Sequence, residues 1–202
     1  MPCAPCLSGE NYEGTLEKLA RARSGDKQAR DELTEENLPL VHYVAKRFRD
    51  RGVEYEDLIR TYAAENNIPP AYVASVILAE SSYRPEVVSY ADARGLMQIL
   101  PSTAKWIAGK FDEEYVEGCL FDPETNIKYG CWYLGFLMNR YDGDMECSSS
   151  AYHAGQGTVD KWLKDPAISA DGKTLDNIPS EATGTYVSRI LKYYEKYEEI
   201  YG

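Results

Sequence analysis

Apolar and polar positions recur at helical spacing along most of this chain, interrupted by Gly, Pro and Asn/Asp clusters, and no stretch alternates with a convincing period of two. The pattern predicts an amphipathic helix over residues 12–22, closed by the turn Ser24-Gly25-Asp26. A second helix is expected over residues 26–35, with Asp26 as its N-cap. A third covers LPLVHYVAKRFRDRG, where Leu40, Val44 and Phe48 share a stripe and Gly52 supplies the stop. Further on, Asn66-Asn67 followed by Pro69-Pro70 marks another helix start, because proline is tolerated in a first turn. The fold class read from this pattern is all-α.

In the helix that starts at Pro69-Pro70, Val73, Val76, Ile77 and Glu80 stand at i, i+3, i+4 and i+7, which puts a carboxylate on the apolar stripe. Arg84-Pro85 is expected to end the run, so Glu80 also lies near the helix C-terminus. Desolvation and the negative end of the macrodipole both disfavour the anion. A glutamic acid held in this way keeps its proton near neutral pH and can donate it, the profile of a general acid. Spacing alone favours a helix-end glutamate turned into water, or one paired with Arg84 at i+4, over a general acid.

Composition narrows the classes. At 202 residues and 44% hydrophobic, the chain can bury one ordinary core with a smaller element beside it. The formal charge of -11 excludes a cationic nucleic-acid surface, so no nucleic-acid partner is expected. No 18-residue apolar run exists to span a membrane, and the N-terminus lacks the charged and apolar regions of a signal peptide. Tyrosines outnumber phenylalanines 17 to 4, and such amphipathic rings suit wet clefts as well as cores. The five cysteines give no closed disulfide framework. Cys3 and Cys6 form a lone CxxC, read as an incidental tail, and the two histidines, His42 and His153, are too few for a multi-histidine metal site.

Four motifs then occur in order: Glu80-Ser81; Gly95-Leu96-Met97-Gln98 followed by ILPSTA; Ala151-Tyr152-His153-Ala154-Gly155; and Tyr186-Val187 within TYVSRIL. From about residue 55 to 201 the chain resembles the catalytic domain of soluble lytic transglycosylases, the goose-lysozyme-like enzymes that cleave peptidoglycan. The resemblance implies an all-α, lysozyme-like domain over residues 55–202, with peptidoglycan glycan strands as partner and no cofactor or metal. It implies Glu80 as the catalytic acid and base, and Ser89 as the serine that contacts the sugar of the intermediate. Gln98 and Tyr152 match side chains around the acid, and Met97, Leu100 and Tyr186 match residues that shape the sugar cleft. His153 stands where the family usually has asparagine, adding bulk and a titration near physiological pH. Met97 and Leu100 also fit a helical core stripe, and Tyr152 also fits a core aromatic with a satisfied hydroxyl.

The reaction implied is cleavage of the N-acetylmuramic acid–N-acetylglucosamine β-1,4 bond with formation of a 1,6-anhydro ring, for which one carboxyl group serves where hydrolases normally use two. The competing reading is a lysozyme-type hydrolase with Asp92 or Glu86 holding a water, although Asp92 also fits a surface turn. A non-catalytic peptidoglycan-binding module is a third reading.

Upstream, residues 16–58 resemble the start of the second conserved region of bacterial sigma factors, carried by GDKQAR, ENLPLV and GVEYEDL. The polymerase- and promoter-contacting helices that follow in that family are missing, so no transcriptional role is carried over. Two pieces are expected: a sigma-like helical fragment over residues 1–54 and the catalytic domain over 55–202. Charge differs between them, with 9 Lys/Arg against 11 Asp/Glu in residues 1–56 and 13 against 22 in the remainder. The resemblance implies a cell-envelope or extracellular site of action.

Overall fold

The computed structural model describes residues 18–29, 32 and 55–201. The chain falls into two compact units, Met1–Asp50 and Arg51–Gly202. In the first, residues 18–23 are helical, and a turn follows in which the Ser24 hydroxyl donates to Arg21 O at 2.8 Å. Asp26 accepts the Ala29 N–H at 3.2 Å, so it caps the next helical residues as its position predicted. The expected third helix, with Leu40, Val44 and Phe48, lies outside the described residues, as do Cys3, Cys6 and His42.

Among the described residues the second unit has seven α-helices: α1 (Glu56–Glu65), α2 (Pro70–Ser81), α3 (Pro101–Ala108), α4 (Pro123–Arg140), α5 (Met145–Ala154), α6 (Gln156–Trp162) and α7 (Glu181–Tyr201), with a 3-10 turn at Cys119–Phe121 before α4. Among the described residues no strand forms, only isolated bridges pairing Val88 with Arg94 and Arg94 with Ile99. None of the described helices is long and apolar enough to cross a membrane. Pro70, Pro101 and Pro123 open three of the helices, where the missing N–H costs nothing. Asp122 and Asp144 cap α4 and α5 by accepting the N–H groups of Thr125 at 2.9 Å and Cys147 at 2.6 Å.

Helix α2 runs through the core. Every residue from Ala71 to Ile77 is buried, so the stripe expected from spacing is in fact an all-round apolar surface, as a helix enclosed by others requires. Its most extensive packing is on α7, and it also meets α1. Helix α2 ends earlier than the Arg84-Pro85 signal implied. Ser82 and Tyr83 both take left-handed backbone, at φ 52° and 60°, and turn the chain away after Ser81. Burial supports that uncommon geometry: the Tyr83 ring is sunk in the core and its hydroxyl meets Ala74 O at 3.3 Å and the Tyr197 hydroxyl at 3.1 Å.

The loop between α2 and α3 is fixed by a residue on α4. Asn126, fully buried, accepts the Met97 N–H at 2.8 Å and donates to Arg94 O at 2.9 Å and Leu120 O at 2.8 Å. Gly95 passes so close, at φ 78°, that a Cβ would lie 2.1 Å from Leu120 O and 2.3 Å from Asn126 Nδ2. Gly130, one turn further along α4, leaves the space that the Met97 thioether fills; a Cβ there would lie 2.1 Å from Met97 Sδ.

Candidate active site

The end of α2, the clamped loop and the end of α5 enclose a cavity of about 480 Å³. Glu80 comes from α2, Ser89 and Gln98 from the loop, Leu100 and Thr103 from the start of α3, Tyr133 from α4, and Tyr152, His153, Ala154 and Gly155 from the end of α5. Among the described residues, Glu80 is the one carboxylate in that lining.

Glu80 sits half-buried where α2 leaves the core. Burial pushes its carboxyl up to about 7. Two contacts pull the other way: the Tyr186 hydroxyl donates to Oε1 at 2.7 Å, and the Arg189 charge on the same helix is felt. Arg84 takes no part, since its Nε donates to Ser81 O at 3.0 Å, which removes the i+4 pairing left open by the spacing. The acid is therefore poised near neutrality, with a neutral phenol ready to bind its anion. Tyr186 itself is buried, and burial beside Glu80 raises its own phenol well above the usual range.

The other expected residues distribute as follows. Ser89 Oγ accepts the Ala93 N–H at 3.0 Å and shapes the tight loop that lines the cavity. Gln98, at φ 49°, donates its amide to Val87 O at 3.0 Å and Gly95 O at 2.9 Å. Leu100 is exposed at the rim. The Tyr152 hydroxyl donates to Met97 O at 2.7 Å. His153 lies over the Tyr186 ring at a centroid distance of 4.7 Å, and its Nδ1 meets the buried Thr183 hydroxyl at 3.2 Å. Partial burial of its ring lowers its pKa, favouring the neutral imidazole.

Met97 is the correction. Its side chain is fully buried against Gly130 and does not reach the cavity wall. What it contributes is main chain: its carbonyl holds Tyr152 and its N–H is held by Asn126. Asp92 and Glu86 are also absent from the lining. Asp92 is an exposed turn residue at φ 64°, with both carboxylate oxygens on the Arg94 guanidinium at 2.9 and 3.0 Å. Arg94 also pairs with Glu117. Sequence reasoning missed Thr103, Tyr133 and the clamp Asn126. Thr103 lay within the quoted ILPSTA, whereas nothing in PETNIKYG marks Asn126 as facing a loop 29 positions earlier. Among the described residues no group of three or more His, Cys, Asp or Glu gathers to hold a metal ion.

Residues 57–174 match the family model described as the transglycosylase SLT domain. The soluble lytic murein transglycosylase of Escherichia coli K12 is 36% identical over 151 residues, covering 73% of this chain and 23% of that protein. The membrane-bound lytic murein transglycosylase C of Haemophilus ducreyi is 31% identical over 186 residues, covering 79% of this chain and 50% of that protein. Among solved structures, the 70 kDa soluble lytic transglycosylase of Escherichia coli superimposes with a TM-score of 0.65 at 33% identity, over 73% of this chain and 24% of that one. A complex of the 70-kDa soluble lytic transglycosylase with bulgecin A gives 0.67 at 28% identity, over 96% and 35%. The all-α, lysozyme-like fold expected from the sequence is the fold these relatives have. The chain spans about a quarter of the length of the first curated relatives it matches. The sigma-factor likeness of residues 16–58 draws no support from these comparisons, and most of that stretch lies outside the described residues.

Proposed function

The chain belongs to the transglycosylase SLT family, and from that membership we propose that it is a peptidoglycan lytic transglycosylase in which Glu80 serves alone, first as acid and then as base. The observation that carries the reading is the state of Glu80: a desolvated carboxyl at about 7, bonded to a phenol, in a cavity whose described lining holds no other carboxylate.

Glu80-H protonates the oxygen bridging C1 of N-acetylmuramic acid and N-acetylglucosamine, and the C1–O bond breaks. The positive charge that develops at C1 is supported by the sugar's own 2-acetamido group. The Glu80 carboxylate, stabilised at that moment by the Tyr186 hydroxyl, takes the proton from the muramic C6 hydroxyl as its oxygen bonds to C1. The ring closes as the 1,6-anhydro sugar, and Glu80 regains its proton. Because the nucleophile belongs to the bound substrate, effective molarity replaces an activated water. Ser89, Gln98, Leu100, Tyr152 and His153 hold the sugar on either side of the acid. A hydrolase reading through Asp92 has little to rest on, since that carboxylate is spent on Arg94. The site of action proposed is the cell envelope, where the substrate is found.

Digesting purified peptidoglycan with the full chain and weighing the products tests the reading. Anhydro-muropeptides are expected, and products heavier by one water would establish hydrolysis instead.

A further inference from the structure

Helices α5 and α7 pack together, and one polar contact in that seam leads to the acid. Thr183 and Tyr186 stand three residues apart on α7 and so share a face. His153, in the last turn of α5, meets both. Its Nδ1 lies 3.2 Å from the Thr183 hydroxyl, and its ring lies over the Tyr186 ring at 4.7 Å with the planes 31° apart. The Tyr186 hydroxyl in turn donates to Glu80 Oε1 at 2.7 Å.

Two features give the imidazole a hold on the phenol beyond lining the cavity. Thr183 is 1% exposed, and the His153 nitrogen is the one side-chain partner of its hydroxyl among the described residues. Breaking that bond leaves a buried hydroxyl unsatisfied, so it fixes the imidazole whichever atom donates. Tyr186, for its part, reaches Glu80 only with the far end of its ring. A hydrogen bond weakens steeply with distance and angle, so a small swing of that ring carries the hydroxyl off the carboxyl. His153 covers one ring face and opposes a swing to that side. Asparagine, which the family usually has at this position, can bond a hydroxyl but has no ring to lay on Tyr186.

We propose that Thr183 and His153 are positioning residues for Tyr186: the Thr183 hydroxyl fixes the imidazole, and the imidazole keeps the phenol on Glu80. The proposal rests on the reading of Glu80 as the acid. Because the Tyr186 bond opposes the burial that raises Glu80, loosening either residue should raise the acid further. The imidazole is neutral where Glu80 titrates, since burial lowers its pKa, so losing it removes no charge.

A titration without substrate decides it. The Glu80 carboxyl is followed by carbon-13 NMR in the full chain, its signal identified as the one lost in Glu80→Gln. His153→Asn should titrate about half a pH unit above the unmodified chain, part of the worth of a hydrogen bond to a charged group. Thr183→Val should move the carboxyl the same way by less, and Thr183→Ser, which restores the hydroxyl, should leave it in place. In a Tyr186→Phe background His153→Asn should add nothing, because its effect runs through the phenol. His153 is exposed, so His153→Asn carries the test should Thr183→Val fail to fold. An unshifted carboxyl in His153→Asn would overturn the proposal. So would a lowered one, which follows if the ring merely shields the acid from water. A full shift in the Tyr186→Phe background, or a Thr183→Ser carboxyl displaced as far as that of Thr183→Val, would overturn it too. No glycan enters this experiment, so its failure and failure of the anhydro-product assay are told apart.

Discussion

The Tyr186 hydroxyl donates to Glu80 Oε1 at 2.7 Å, and this bond opposes the burial that raises the acid. Its removal has a definite sign. Tyr186→Phe should leave only the Arg189 charge to oppose burial and move Glu80 further up. The alkaline limb of the cleavage pH profile should then shift upward by about half to one pH unit, the worth of one hydrogen bond to a charged group. An unshifted limb, with activity merely reduced, would show that Tyr186 does not tune the acid.

The unmodified chain should cleave best below the Glu80 pKa and lose activity as pH rises through about 7. Glu80→Gln should abolish cleavage at every pH while leaving the fold intact. Retained activity would remove Glu80 from the site.

The same substitution carries a stability signature. A carboxyl raised from 4.5 to about 7 on folding keeps its proton in the folded chain while the unfolded chain has lost it. Stability therefore falls as pH rises from about 4.5 to 7 and stays at the lower value above. Glu80→Gln removes that penalty. The variant should match the unmodified chain near pH 4 and exceed it by up to about 3 kcal/mol at pH 8, read by thermal or urea unfolding.

Asn126 joins three main-chain groups around the loop, and its two possible losses differ. Asn126→Ala should destabilise by about 2–4 kcal/mol at all pH values, since it strands a buried N–H and two carbonyls. Asn126→Asp keeps the acceptor but turns a carboxyl toward Arg94 O and Leu120 O. Its loss should deepen with rising pH as that carboxyl ionises, and a pH-independent loss would refute the clamp as described.

Gly130→Ala should cost about 1–3 kcal/mol by overpacking against Met97. Combining it with Met97→Val, which withdraws the thioether, should recover at least about 1 kcal/mol relative to the sum of the single effects. Strict additivity would place the strain elsewhere.

The sequence and the structure agree where information is local. Helical period, proline at the first turn and the Asp26 cap all act within a few residues, and each is found. Glu80 stood out because a carboxylate interrupts an apolar period, and the ordered motifs located Ser89, Gln98, Tyr152 and His153 around it. What stayed hidden depends on partners far along the chain. The α2 helix stops at Ser81 because the buried Tyr83 ring sustains two left-handed residues, a condition invisible in SSYRP. Met97 was read as either a cleft residue or part of a core stripe, because GLMQ says nothing of the gap left by Gly130. Asn126 looked like any polar residue in a first turn until Met97, Arg94 and Leu120 were seen to converge on it.

Glu80 and the hydroxyl that steadies its anion lie 106 residues apart, on helices that pack extensively together. Almost the whole domain must therefore be synthesised before the acid meets its partner. Local contacts close quickly and such distant ones slowly, so α2 and its loop can form while the catalytic pair is still incomplete. For the wall-cutting activity proposed, this order has a protective effect. A chain cut short before α7, or one whose α7 has come undocked, lacks the paired acid. The contact that steadies the acid's anion thus depends on the terminal helix being in place.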